Sequence, residues 1–151
     1  MTRVPTARGR RRPSDSIRSK RAARRAALAA IFEAEFGQRT ATAILERDLA
    51  ATEGDPETAE LARRLVDVVV ANRDTIDARI GVLAPRYPVV SLARMDRSLL
   101  RCAIGEVLHS PTPARVAIAE WVELARTYSG DPMRRLMNGV LGQIARDTPG
   151  G

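Results

Sequence analysis

Ten basic side chains crowd the first 25 residues: Arg3, Arg8, Arg10, Arg11, Arg12, Arg18, Lys20, Arg21, Arg24 and Arg25. Asp15 is the one acid among them, so this segment carries a net charge of +9. The other 126 residues hold 15 basic and 17 acidic groups, and the whole chain is +7. A near-neutral body with a basic head is a localised electrostatic footprint for an anionic partner. Arginine suits that task because its planar fork donates two parallel hydrogen bonds to a phosphate and stacks on a base. The same charges serve RNA, DNA or an anionic lipid surface. Lys20 is the only lysine.

The residues that could do covalent chemistry are few. His109 is the only histidine and precedes Ser-Pro at a predicted helix end, where it suits the helix carbonyls. Cys102 is the only cysteine, so it has no internal disulfide partner, and it falls in an apolar helical pattern that predicts a small core residue. No glycine-rich phosphate loop and no metal-ligand spacing are present. Glu120 and Glu123 share a helix, a spacing common on solvated faces. These features predict a protein that is not an enzyme and that uses no metal and no cofactor.

The elements that must position the basic residues are helices. From Ile17 to Phe36 there is no Pro or Gly, and alanine is abundant. At 100° per residue, Leu28, Ile31 and Phe32 form an apolar stripe, and Arg21, Arg24 and Arg25 continue it toward the N-terminus. The stripe predicts core packing, with the basic residues of 18–25 presented at the edge of the body. "SDS" at 14–16 supplies N-caps, and Pro5, Gly9 and Pro13 exclude a helix before them. Residues 1–16 are therefore read as a disordered basic tail and 17–148 as one all-α domain. A secretory signal does not fit, because Glu33 and Glu35 interrupt the apolar run. Residues 1–13 also have the composition of a transit peptide.

Further along, Thr40 caps a short helix that ends at Gly54. Asp55 and Pro56 open a long apolar pattern running to Leu83, either one helix or two joined near 72–74. "RYPVV" is an extended connector. A strongly apolar helix follows from Leu92 to Leu108. The next spans residues 113–128, with Val116, Ile118, Val122, Ala125 and Tyr128 facing inward. The last runs from Met133 to about residue 145. Asn138-Gly139 interrupts it, yet Leu136, Met137, Val140, Leu141 and Ile144 keep helical spacing. That predicts a continuous helix, with Gly139 and Gly142 admitting a close neighbour and Asn138 bonding to its backbone. The fold class is all-α, about six or seven helices in two packed subdomains, with no membrane span.

Four stretches, "ARRAALAAIFEAEF", "LARMDRSLLRCAIGEVL", "PARVAIAEWVELARTYSGD" and "LMNGVLGQIA", lie in an order and spacing that resembles the bacterial NusB family of transcription antitermination factors. The resemblance covers about residues 18–147. It departs at Ala119, where the family usually has Asn, and at Leu136-Met137, where it has Phe-Val. It implies a two-subdomain helical fold that binds single-stranded boxA RNA of rRNA leader transcripts. The implied partners are NusE, a small-subunit ribosomal protein, and a cytoplasmic RNA polymerase antitermination complex.

The resemblance places Lys20, Arg21 and Arg24 on the RNA surface, with Arg86, Tyr87 and Tyr128; Arg18 and Arg25 join them from the basic stripe. Tyr87 precedes Pro88, a connector position that predicts exposure, whereas Tyr128 reads equally as a half-buried helix end. Phe32 and Asp96 fall at positions that face the protein partner. For Phe32 the apolar stripe competes with that role, and Asp96 has Arg94 and Arg97 nearby to pair with. Arg101 and Glu106 read as structural. Two other readings stay open: a NusB-like accessory domain of the kind found on rRNA cytosine methyltransferases, and a helical adaptor or homodimer without specific RNA recognition.

Overall fold

A computed structural model of the chain describes residues 12–148. Among them are six α-helices, one 3₁₀ turn and no strand. The helices are α1 (Pro13–Ala34), α2 (Ala41–Ala51), α3 (Pro56–Leu83), α4 (Arg94–His109), α5 (Ala114–Tyr128) and α6 (Asp131–Asp147); the turn is Val89–Ser91, within the connector expected to be extended. Helices α1–α3 pack on one another, as do α4–α6, and α4 joins the halves by contacting α1 and α3 as well as α5 and α6. One continuous apolar core runs through both units.

Helix α1 starts earlier than its sequence predicts. Arg12 is the N-cap, without a side-chain cap bond, and a proline occupies the first turn. Proline's fixed φ suits that position, where its missing N–H has no intrahelical partner anyway. Ser16, expected among the caps, instead ties α1 to α3, and Ser19 does the same. Ser16 Oγ donates to Glu57 Oε1 at 2.6 Å, and Ser19 Oγ donates to Asp55 Oδ2 at 2.9 Å. Asp55 also caps α3 by accepting from the Thr58 backbone N–H at 3.0 Å. The tail assigned to residues 1–16 lies outside the described residues up to Arg11; from Pro13 on, that segment is helix.

The face α1 buries is lined largely by alanines. Ala23, Ala27 and Ala30 are fully buried, with Leu28 and Ile31 beside them. Small side chains bring the neighbouring backbones close, and α1 packs most extensively on α3. Phe32 is not in this core; it is half-buried at the surface. Helix α3 is bent at Asn72, whose φ of −120° and ψ of 17° leave the helical region. Its side-chain amide donates to the Val68 carbonyl at 2.8 Å, which occupies an acceptor that the bend exposes.

Helix α4 is buried along Ser98–Glu106. Gly105 has a packing reason: a Cβ there would lie 3.2 Å from Val69 Cγ2 and 3.4 Å from Val68 Cγ2. Helix α5 turns Ala125, Ile118 and Val122 toward the core as its apolar pattern suggests, but not the whole expected face. Ala117, Trp121 and Ala125 are buried, whereas Val116 and Tyr128 are exposed. Helix α6 is continuous through Asn138-Gly139. The expected close neighbour is absent, however: Gly139 and Asn138 are exposed, and a Cβ on Gly139 would meet nothing within 4 Å. Among the described residues no helix is long and apolar enough to cross a membrane.

Candidate nucleic-acid interface

The basic residues of α1 spread around the helix instead of forming one stripe. Arg18, Lys20, Arg21 and Arg25 are exposed. Arg21 and Arg25 line a groove of about 380 Å³ between α1 and α5, and Tyr128 lies on the α5 wall of the same groove. Arg25 also lines a shallow cleft with Arg18 on the α3 side, and Lys20 faces a third cleft, between α1, α3 and the α4–α5 loop. The groove with α5 thus brings together three residues that the sequence singles out: Arg21, Arg25 and Tyr128. An exposed tyrosine beside two guanidinium groups offers a stacking surface next to phosphate donors.

Glu120 moderates the charge of this groove. Arg21 Nε lies 3.2 Å from both Glu120 oxygens. The Arg21 side chain is 57% exposed and that of Glu120 20%. An exposed pair of this kind stabilises by at most about 1 kcal/mol, so an incoming phosphate can compete for Arg21. Glu123, on the same wall, is paired with Arg126. Glu123 is on a solvated face, as the spacing suggested, whereas Glu120 is half-buried in the groove wall.

Arg24 is a correction. Its side chain is 2% exposed, and it forms a two-point pair with Glu106, Nε to Oε1 at 2.9 Å and Nη2 to Oε2 at 2.8 Å. Trp121 Nε1 donates to the same Glu106 Oε1 at 2.7 Å. Burial by itself pushes the Glu106 carboxyl up, but the Arg24 pair and the Trp121 N–H outweigh it and hold the carboxyl below its usual range. Arg24 is therefore the internal cation of a buried cluster joining α1, α4 and α5, not a free phosphate donor. Glu106 is structural, as its helix implied. The signal for this exchange is the pair of complementary charges on two apolar helices, which becomes decisive only once the helices are packed.

The remaining site residues lie toward the other end of α1. Glu35, just past α1, accepts from Arg97 and from Arg101 of α4, the latter at 3.3 Å. Arg101 also forms a two-point pair with Asp77 of α3 at 2.9 Å. Burial raises the Glu35 carboxyl, and the Arg97 hydrogen bond and the nearby arginines more than reverse this. Here Phe32 packs edge-on against Phe36, with centroids 5.4 Å apart, and the Arg94 guanidinium lies 4.7 Å from the Phe36 ring centre. This aromatic–arginine patch replaces the core role expected of Phe32. Phe36 and Arg94 were missed, although Phe36 is four residues from Phe32, a spacing at which rings on one helix face meet. Asp96, in the first turn of α4, is half-buried and makes no ion pair with Arg94 or Arg97. Arg86 and Tyr87 are exposed in the α3–α4 connector, and neither lines the α1–α5 groove. Cys102 is fully buried, and burial pushes its thiol far above the usual range.

Fold and groove together define an all-α protein with an arginine-lined groove suited to a polyanion. Residues 21–146 match the model of the NusB family. The chain is 37% identical over 129 residues to the transcription antitermination protein NusB of Dehalococcoides mccartyi strain 195, covering 85% of this chain and 90% of that protein. It is 38% identical over 141 residues to the NusB of Symbiobacterium thermophilum, covering 87% and 92%. A solved structure of T. maritima NusB superposes with a TM-score of 0.78 at 32% identity, over 85% of this chain and 91% of that one. A structure of antitermination factors NusB and NusE in complex with dsRNA shares the fold, with a TM-score of 0.75 at 21% identity over 87% and 99%. The chain belongs to the NusB family.

Proposed function

We infer that this protein is a transcription antitermination factor that binds boxA-type single-stranded RNA of rRNA leader transcripts. It does so together with a NusE-type ribosomal protein, within a cytoplasmic RNA polymerase complex. The observation that carries the reading is the α1–α5 groove, where exposed Arg21 and Arg25 face Tyr128 on a NusB-family fold. The related proteins are themselves antitermination proteins, and one solved structure of the same fold holds NusB and NusE with dsRNA. The arginines hold phosphates, and Tyr128 stacks on an unpaired base, a contact worth roughly 1–3 kcal/mol in single-strand binders. The partner meets the opposite end, at the Phe32–Phe36–Arg94 patch and Asp96. There an unpaired carboxylate suits a basic ribosomal protein, and Arg86 and Tyr87 extend the RNA surface toward it.

The test is RNA binding with and without the NusE-type protein, comparing a boxA sequence with a scrambled one. The expected result is a preference for boxA that the partner strengthens. Equal binding to both sequences, unchanged by the partner, would overturn the reading in favour of a helical adaptor or homodimer.

A further inference from the structure

The clefts of this protein differ in charge, and the most basic of them is not the α1–α5 groove. That groove sets three arginines against Glu120 and Glu123. A cleft of about 290 Å³, where the end of α1 meets the start of α2 and the middle of α3, holds Arg39, Arg73 and Arg101 against a single acid, Glu35. Glu35 is already engaged by Arg97 and Arg101, and Arg101 is held by Asp77. Arg39 and Arg73 are exposed, and neither has a hydrogen bond or ion pair among the described residues. Val70, 55% exposed, adds an apolar wall. The fold thus leaves two guanidinium groups without a hydrogen bond or ion pair at the mouth of one concave site, with Arg73 near enough to Glu35 to help lower its carboxyl.

We propose that this α1–α2–α3 cleft is a second phosphate subsite, in which Arg39 and Arg73 hold the backbone of the bound RNA. The proposal rests on the RNA-binding reading for the source of the phosphates, and on the cleft alone for their location. Glu35 is paired directly with Arg97 and Arg101 and only at longer range with Arg73, so a phosphate entering the cleft meets the exposed Arg39 and Arg73 forks first. Fourteen residues of helix separate Arg21 from Glu35, about 21 Å along α1, which matches roughly six stacked nucleotides. A 12-nucleotide strand is long enough to engage both sites.

The experiment measures binding of a 12-nucleotide boxA-type RNA across a salt series to four proteins: wild type, Arg39→Ala/Arg73→Ala, Arg21→Ala/Arg25→Ala, and a control, Arg115→Ala/Arg135→Ala, which removes two exposed arginines elsewhere. Thermal unfolding confirms that each variant folds. The expected result is that Arg39→Ala/Arg73→Ala weakens binding and flattens the slope of log K against log salt by about 1.4, the value for two phosphates on a single strand. The control should leave the slope unchanged. Equal flattening by the control would overturn the subsite, as would an unchanged slope in Arg39→Ala/Arg73→Ala while Arg21→Ala/Arg25→Ala loses affinity; the RNA reading would survive both. Absence of RNA binding by the wild type would overturn both together. An oligoglutamate peptide that binds wild type but not Arg39→Ala/Arg73→Ala, with RNA binding untouched, would reassign the cleft to an acidic protein segment.

Discussion

Arg24 and Arg21 are three residues apart on one helix, yet they do different work. Arg24 neutralises Glu106 inside the molecule, whereas Arg21 faces solvent and a groove. Breaking a buried pair leaves an uncompensated charge, so Arg24→Ala should destabilise by about 3–5 kcal/mol in urea unfolding. Arg21→Ala and Arg25→Ala should each change stability by no more than about 0.5 kcal/mol and weaken RNA binding in titrations. Loss of RNA binding in Arg24→Ala would then track unfolding, not a missing contact. The same cluster has a pH signature. The folded Glu106 carboxyl is held below its unfolded value, so its stabilisation is present above about pH 4.3 and fades as pH falls through the folded pKa. Urea midpoints measured from neutral pH downward should fall in the wild type. In Glu106→Gln they should start lower and fall less steeply.

Two glycines on helices show how neighbours decide the sign of one substitution. Gly105 lies where α4 crosses α3, and a methyl group there meets two valine methyls. Gly105→Ala should destabilise by roughly 1–3 kcal/mol through overpacking. Gly139 sits in a solvent-facing helical turn with open space around its missing side chain. Gly139→Ala should stabilise by about 0.4–1 kcal/mol, because alanine restricts the unfolded chain and favours the helix. Thermal melts of the two variants, shifting in opposite directions, check both. The bend of α3 has an equally local cause, and it decides between the two readings the sequence left open, one helix or two joined near residues 72–74. Asn72 both departs from helical geometry and supplies the amide that occupies the Val68 carbonyl.

At the scale of the molecule, the basic residues of 18–25 and the opposite aromatic–arginine patch lie at two ends of α1. A protein that binds RNA through one end and a basic partner through the other gains sensitivity to salt at the first. With three or four phosphates held, the slope of log K against log salt on single-stranded RNA should lie between about −2 and −3. A salt-independent affinity would remove the electrostatic account. The α1–α5 groove and the α1–α2–α3 cleft open on different neighbours of the same helix, so the path between them is a property of the packing.

Helical periodicity, caps at Thr40 and Asp55, the continuity of α6 and the concentration of charge near the N-terminus were all legible in the sequence, because each depends on residues within a few turns of one another. So was the family, through four ordered stretches. What one helix does with a given side chain was not. Arg24 went inside because Glu106 and Trp121 waited on α4 and α5, and Phe32 stayed at the surface because the alanines of α1 had taken the core face. Val116 and Tyr128 turned outward because Trp121 found its acceptor on another helix. Local pattern sets which elements form and where charge is available. Only packing decides which charges are neutralised within and which remain for a ligand.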